Sequence, residues 1–166
     1  MTIAVCPGSF DPITLGHLDV VRRARVFADE VVVGVAANAA KSALLPVETR
    51  VALAREAVDG WDGVRVTRVP GLLAEYCASI GASLVVKGLR SGGDLDAELP
   101  MALMNRHLSG VETIFLPASP EVTHIASSMV KDIARHGGRI DDLVPPGVAE
   151  AVRAAVARTA ERGQAR

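Results

Sequence analysis

Five short apolar runs, at residues 3–6, 31–36, 64–69, 84–86 and 113–116, alternate with stretches of helical spacing, and few folds accommodate that order. The runs are rich in Val and Ile, and their hydrophobicity reads as continuous, the mark of strands buried on both faces. Helices are expected at about residues 17–27, 46–58, 72–80 and 101–108. Pro46 falls at the N1 position of the second, with Glu48 in its first turn. Pro145-Pro146 introduces an Ala-rich helix at about 146–162, and residues 163–166 are expected to fray. The alternation predicts an α/β fold: a doubly wound, parallel five-stranded sheet with helices on both faces, in one domain spanning residues 1–166. Ligands of such a sheet bind at the carboxyl ends of the strands.

Composition narrows the function classes. With 49% hydrophobic residues and no run near the roughly 20 that a membrane helix needs, the apolar excess is expected to cover buried strands and a subunit interface. Eighteen Lys and Arg against nineteen Asp and Glu leave a formal net charge of -1, so no global basic field draws nucleic acid, and phosphate binding must rest on locally placed cations. Two distant cysteines and the lack of a charged-then-apolar leader suggest a reducing cytoplasm.

The strand ends carry the chemistry. Gly8-Ser9-Phe10-Asp11-Pro12-Ile13-Thr14-Leu15-Gly16-His17 joins the first strand to the first helix through small residues and hydroxyls. His17 stands at the start of that helix, where unpaired N–H groups and the dipole favour an anion. Its imidazole is placed to donate to a phosphate oxygen that gains charge in a transition state. Asp11, before Pro12, reads as a turn former and Phe10 as a packing residue. Three further loops follow strands two, four and five: residues 38–41 with Lys41, residues 88–93 with Arg90, and residues 117–124. His107 and His136 read as helix-end residues, and nothing in the spacing argues for side-chain metal ligation.

Thr14-Leu15-Gly16-His17 resembles the T/HxGH signature of the nucleotidyltransferase superfamily, and the block Pro7 to His17 resembles bacterial phosphopantetheine adenylyltransferases. Lys87-Gly88-Leu89-Arg90 resembles that family's basic-Gly-Leu-Arg element, and Ile125-Ala126-Ser127-Ser128-Met129-Val130-Lys131 its ISSSxVK element. The resemblance runs from Val5 to about Val144. It implies a Rossmann-like fold and transfer of the adenylyl group of ATP to 4'-phosphopantetheine, giving dephospho-CoA and pyrophosphate with no covalent intermediate. It also implies Mg2+ bridging phosphate oxygens, a homohexamer and feedback by CoA.

By the same resemblance His17, Lys41 and Arg90 are the catalytic candidates. ATP would meet Ser9, Phe10, His17, Gly88, Leu89, Arg90 and Glu98, then Val122, Thr123, His124, Ile125, Ala126, Ser127 and Ser128. Phosphopantetheine would meet Ser9, Lys41, Leu73 and Lys87. Met101 to Leu108 is the candidate subunit contact, and Lys131 reads equally as a solvated charge.

The chain departs from the family pattern at Asp94 to Pro100, where the family often has an aromatic at the place of Ala97 and Gln at that of Pro100. The family also places aromatics around Val122 and His124. Ala126 replaces the first serine of the triple. Proline inside a helix costs roughly 3 kcal/mol, so the fourth helix is expected to start near Pro100 or kink there, which would displace Glu98. Two rival readings stay open: nucleotidyl transfer to another phosphate acceptor, and a noncatalytic nucleotide or CoA sensor of the same fold.

Overall fold

The computed structural model describes residues 1–37 and 42–164. Strands β1 (Ile3–Gly8), β2 (Glu30–Ala36), β3 (Val64–Val69), β4 (Leu84–Leu89) and β5 (Glu112–Pro117) alternate with helices α1 (Leu15–Ala24), α2 (Val47–Ala57), α3 (Leu73–Ser79) and α4 (Gly92–Ser109), followed by α5 (Ser127–Arg135) and α6 (Val148–Gln164). The strands form one parallel sheet in the order β3-β2-β1-β4-β5. This is the doubly wound architecture expected from the alternation.

Successive residues of the inner strands bury opposite faces. Val31, Val33 and Val35 join Ala4 and Cys6 under α1, α2, α5 and α6, whereas Val32, Val5 and Val85 face Tyr76, Cys77 and Ala82. The edge strands are more open: in β3 Arg65 and Arg68 are exposed while Val66 and Val69 are buried, and in β5 only Leu116 is buried.

β1 and β2 stay in register from Ile3↔Glu30 to Gly8↔Val35, and β4 and β5 from Leu84↔Glu112 to Leu89↔Pro117. β1 and β4, by contrast, pair only at Ala4↔Leu84 and Val5↔Val85. The sheet therefore opens along its carboxyl half between its two central strands. That is the point where the strand order reverses, and where an open α/β sheet takes its ligand.

Several boundaries differ from expectation for local reasons. α1 begins at Leu15 because Thr14 caps it, and Pro46 is the N-cap of α2, one place outside the expected N1. β4 runs three residues beyond Val86 because Lys87, Gly88 and Leu89 pair with Phe115, Leu116 and Pro117. The largest correction is α4, which starts at Gly92 and continues through Pro100. Pro100 has no N–H to give the Asp96 carbonyl, but Asp96 is exposed and water can serve that oxygen. Ser91, whose hydroxyl accepts from the Asp94 N–H at 3.4 Å, caps the start, and Gly110 at φ 75° closes the end. Two carboxylates on this extra turn, Asp94 and Glu98, pair with cations at the end of β4.

Gly88 is where α1 presses on the sheet: a Cβ there would lie 2.6 Å from Val20 Cγ2. Gly88→Ala is therefore expected to cost about 1–3 kcal/mol through overpacking. That corresponds to roughly 2–4 °C in melting temperature per kcal/mol. Val20→Ala in the same chain should recover part of the loss, and thermal melts of the single and double variants check this.

Candidate active site

The gap between β1 and β4 widens into a cleft of about 1060 Å³. Its walls bring together Ser9, Phe10, His17, Leu73, Lys87, Gly88, Arg90, Glu98, Val122, Ile125, Ala126, Ser127 and Ser128. Of the other expected residues, Leu89 is paired with Pro117 in the sheet, while Thr123 and His124 lie exposed on the turn before α5 and do not line the cleft. Lys41 lies outside the described residues.

His17 occupies the N3 position of α1 in a reciprocal cap. Thr14 Oγ1 accepts the His17 N–H at 3.3 Å, and His17 Nδ1 accepts the Thr14 N–H at 3.0 Å. An Nδ1 that accepts a backbone N–H carries no proton, so the ring proton resides on Nε2. Burial, with the charges of Arg90 and then Lys87, lowers the imidazole to about 4, so the ring is neutral at pH 7. His17 is thus a fixed neutral donor rather than an acid or base.

Phe10 holds that ring in place. It is 4% exposed and meets His17 edge to face, with ring centroids 5.0 Å apart at 72°. Its own backbone sits at φ 46°, a left-handed conformation unfavourable for a bulky residue. The ring folds over Gly8, where a Cβ would come within 3.1 Å of Phe10 Cζ. The side chain therefore packs, as its aromatic character suggests.

Three of the described cations of the cleft have carboxylate partners. Lys87 Nζ lies 3.0 Å from Glu98 Oε2. Arg90 grips Asp94 with Nε and Nη2, both at 3.1 Å, and Arg90 N–H donates to Asp94 Oδ2 at 2.8 Å. The Arg90 guanidinium, outweighing burial, keeps the Asp94 carboxyl below its ordinary value. Lys131 pairs with Asp11 at 2.8 Å and is no solvated surface charge. Ser127 and Ser128 open α5 and line the same space, and Ala126 is its N-cap.

The motifs did not single out two residues of the wall, and misread a third. Arg50 is 4% exposed and spends its donors on three carbonyls, those of Ser9, Ala36 and Leu45. Its only sequence signal is a cation among the inward residues Val51, Leu53 and Ala54. Asn105, 6% exposed, contributes a buried amide from α4 beside Met101. Asp11, read as a turn former, is a buried carboxylate accepting from two backbone amides and Lys131. Cys6 also reaches the cleft wall, but burial pushes its thiol up to about 12 despite the charge of Lys87, which removes it as a nucleophile at neutral pH. The described residues contain no group of three His, Cys, Asp or Glu able to hold a metal ion, and no helix long and apolar enough to cross a membrane.

The architecture and the motifs agree with what known proteins show. A family model described as Cytidylyltransferase-like matches residues 5–133. The chain is 52% identical over 164 residues to the phosphopantetheine adenylyltransferase of Bifidobacterium longum, covering 98% of this chain and 99% of that one. It is 50% identical over 149 residues to the enzyme of the same name from Micrococcus luteus, covering 89% and 95%. The chain belongs to the phosphopantetheine adenylyltransferase family. A solved structure from Vibrio parahaemolyticus, provisionally named a nicotinate-nucleotide adenylyltransferase, superposes with a TM-score of 0.70 over 95% of this chain and 96% of that one. At 18% identity it attests the nucleotidyltransferase fold alone.

For this member of the phosphopantetheine adenylyltransferases, the neutral imidazole has two measurable consequences. Ring nitrogen NMR should report His17 protonated at Nε2 only, without change from pH 8 to about 5.5. Unfolding releases the ring to its ordinary value of 6.5, so between 6.5 and about 4 the unfolded chain binds the extra proton. Stability should therefore fall as pH drops through that window, and His17→Gln should flatten the fall in denaturant titrations run at each pH.

Proposed function

We propose that the cleft transfers the adenylyl group of ATP to the phosphate of 4'-phosphopantetheine, releasing pyrophosphate and dephospho-CoA. The observation that carries the chemistry is the single-tautomer His17, held between Thr14 and Phe10 at the start of α1 with Lys87, Arg90 and the start of α5 around it. The acceptor is taken from relatives about half identical over nearly the full chain, which bear the name of that reaction.

A phosphate monoester has a second pKa of about 6 and is mostly dianionic at pH 7, so it needs no general base. One acceptor oxygen forms a bond to the α-phosphorus in line with the bond to pyrophosphate, which breaks and keeps its electron pair. What remains for the protein is alignment and neutralisation of charge. His17 Nε2–H is assigned to the α-phosphoryl oxygen, with Arg90 beside it, and Lys41 is given a part in the same charge neutralisation by the family resemblance alone. Ser127, Ser128 and the α5 amides would take the β and γ phosphates. Ser9 and Lys87 are assigned to the acceptor phosphate, and Leu73 to its pantetheine arm. Glu98 and Asp94 hold Lys87 and Arg90 until phosphate oxygens replace them. The cleft, at about 1060 Å³, stands at the upper end of the roughly 300–1,000 Å³ typical of ligand pockets.

Mg2+ fits this arrangement as an ion that enters with the nucleotide, held by phosphate oxygens and its own waters rather than by a side-chain cluster. When bound it would add charge neutralisation at the triphosphate. The exposed apolar side chains distributed around α4, Leu99, Met101, Leu103, Met104 and Leu108, suit a subunit contact in a homohexamer. Feedback by CoA follows from the same reading, since CoA contains the product. A cytoplasmic site of action accords with two free thiols, Cys6 and Cys77, and with a net charge of -1 the partners are small phosphates rather than nucleic acid.

The test is pyrophosphate release from ATP and Mg2+ with phosphopantetheine, nicotinamide mononucleotide or glycerol phosphate. Release with phosphopantetheine alone is expected. Release with another acceptor alone would reassign the substrate, and silence despite ATP or CoA binding would make the chain a sensor. His17→Ala should lower kcat by about 10²–10³, the effect of losing one transition-state donor, with little change in the KM for ATP. Lys87→Ala should raise the KM for phosphopantetheine more than that for ATP.

A further inference from the structure

Asp11 lies at the crossing of three segments far apart in the chain. Its side chain is 7% exposed, and every oxygen is engaged: Oδ1 accepts the Leu45 N–H at 2.9 Å, while Oδ2 accepts the Leu44 N–H at 2.9 Å and Lys131 Nζ at 2.8 Å. Next to it, the Pro12 carbonyl accepts the hydroxyl of Ser127 at 2.8 Å. The turn that carries Ser9 and His17, the chain entering α2, and the first turns of α5 are thereby joined at one carboxylate. Burial raises the Asp11 carboxyl, but Lys131 and the two amides outweigh it and hold it below its ordinary value. Three of the roughly four acceptor sites of this ionised group are taken by the protein itself, and the side chain is nearly closed to solvent. Its role here is geometric.

We propose that Asp11 is a positioning residue for the reaction. Through Lys131 it sets the separation between the turn bearing His17 and the N-terminus of α5, and so the register between the donor at the α-phosphate and the groups at the β and γ phosphates. This rests on the adenylyl-transfer reading above. Lys131 serves here as a structural cation rather than a phosphate ligand: its Asp11 partner is 7% exposed and held by two backbone amides, whereas Glu98 and Asp94, which hold Lys87 and Arg90, are 34% and 25% exposed and can yield to phosphate. Breaking either side leaves a buried charge without its partner, and a displacement of about 1 Å at the reacting atoms is enough to cost roughly a hundredfold in rate.

The test uses Asp11→Asn, Lys131→Met and the double variant, each assayed for pyrophosphate release and for hydrogen exchange at the Leu44 and Leu45 amides. Each single change is expected to lower kcat by about 30-fold or more, with KM for both substrates within about threefold. The double variant should be no slower than the worse single one, because the two groups act as one unit. Exchange at Leu44 and Leu45 should quicken about tenfold or more in both single variants, although Lys131 is remote in sequence. An unchanged kcat, additive losses, or unchanged exchange would overturn the proposal. So would a rise in the KM for ATP alone in Lys131→Met, which would make Lys131 a direct phosphate ligand. If Asp11→Asn fails to fold, Lys131→Met decides, since that side chain is only partly enclosed. If the unaltered chain releases no pyrophosphate, the adenylyl-transfer reading fails, while exchange at Leu44 and Leu45 still judges the joint.

Discussion

β1 and β4 share only the pairs Ala4↔Leu84 and Val5↔Val85, and the gap beyond Val5 governs everything built above it. Both strands are paired along their outer sides, β1 to β2 through Gly8 and β4 to β5 through Leu89, so the parting is confined to the line between β1 and β4. It lets the turn after β1 fold back over the sheet and directs α1 across the opening, with Val20 packed where Gly88 has no side chain. The cleft follows from the order in which the strands were laid down, since the chain leaves β1 for one edge and returns to β4 for the other.

On this frame the electrostatics are arranged to be exchanged. The cations that would meet phosphates, Lys87 and Arg90, are already satisfied by Glu98 and Asp94 from the first turns of α4. A ligand oxygen therefore replaces an acid rather than quenching a bare charge, which limits the cost of keeping positive groups in a partly buried site. His17 differs in kind, because its Nδ1 is closed by the Thr14 amide and its ring is neutral. A neutral donor attracts a ground-state anion less strongly than a cation does, and so gains proportionately more as charge builds in the transition state.

The strands were legible because burial on both faces leaves an apolar run that nothing else explains, and the ligand loops because they follow those runs. The exception among strands is instructive. Residues 64–69 carry Arg65, Thr67 and Arg68 among their valines, and this edge strand leaves both arginines exposed while Val66 and Val69 are buried on opposite faces. The start of α4 was not legible. Pro100 argues locally for a break, and the exposure of Asp96, the Ser91 cap and the pairing of Asp94 and Glu98 with Arg90 and Lys87 make the longer helix tolerable. Arg50 and Asp11 escaped for the same reason: each has partners well removed along the chain, the Ala36 and Ser9 carbonyls for one and Lys131 for the other.

Sequence by itself determined the layered fold, the family and the placement of His17, because hydrophobic period and a contiguous ten-residue turn are local properties of the chain. The tautomer and neutrality of that imidazole, the pairing of Lys87, Arg90 and Lys131 with acids and the joint at Asp11 were decided only by the tertiary structure. Burial and electrostatic pairing depend on what the fold brings within about 4 Å, and that distance is set by packing across the whole sheet rather than by neighbours in sequence.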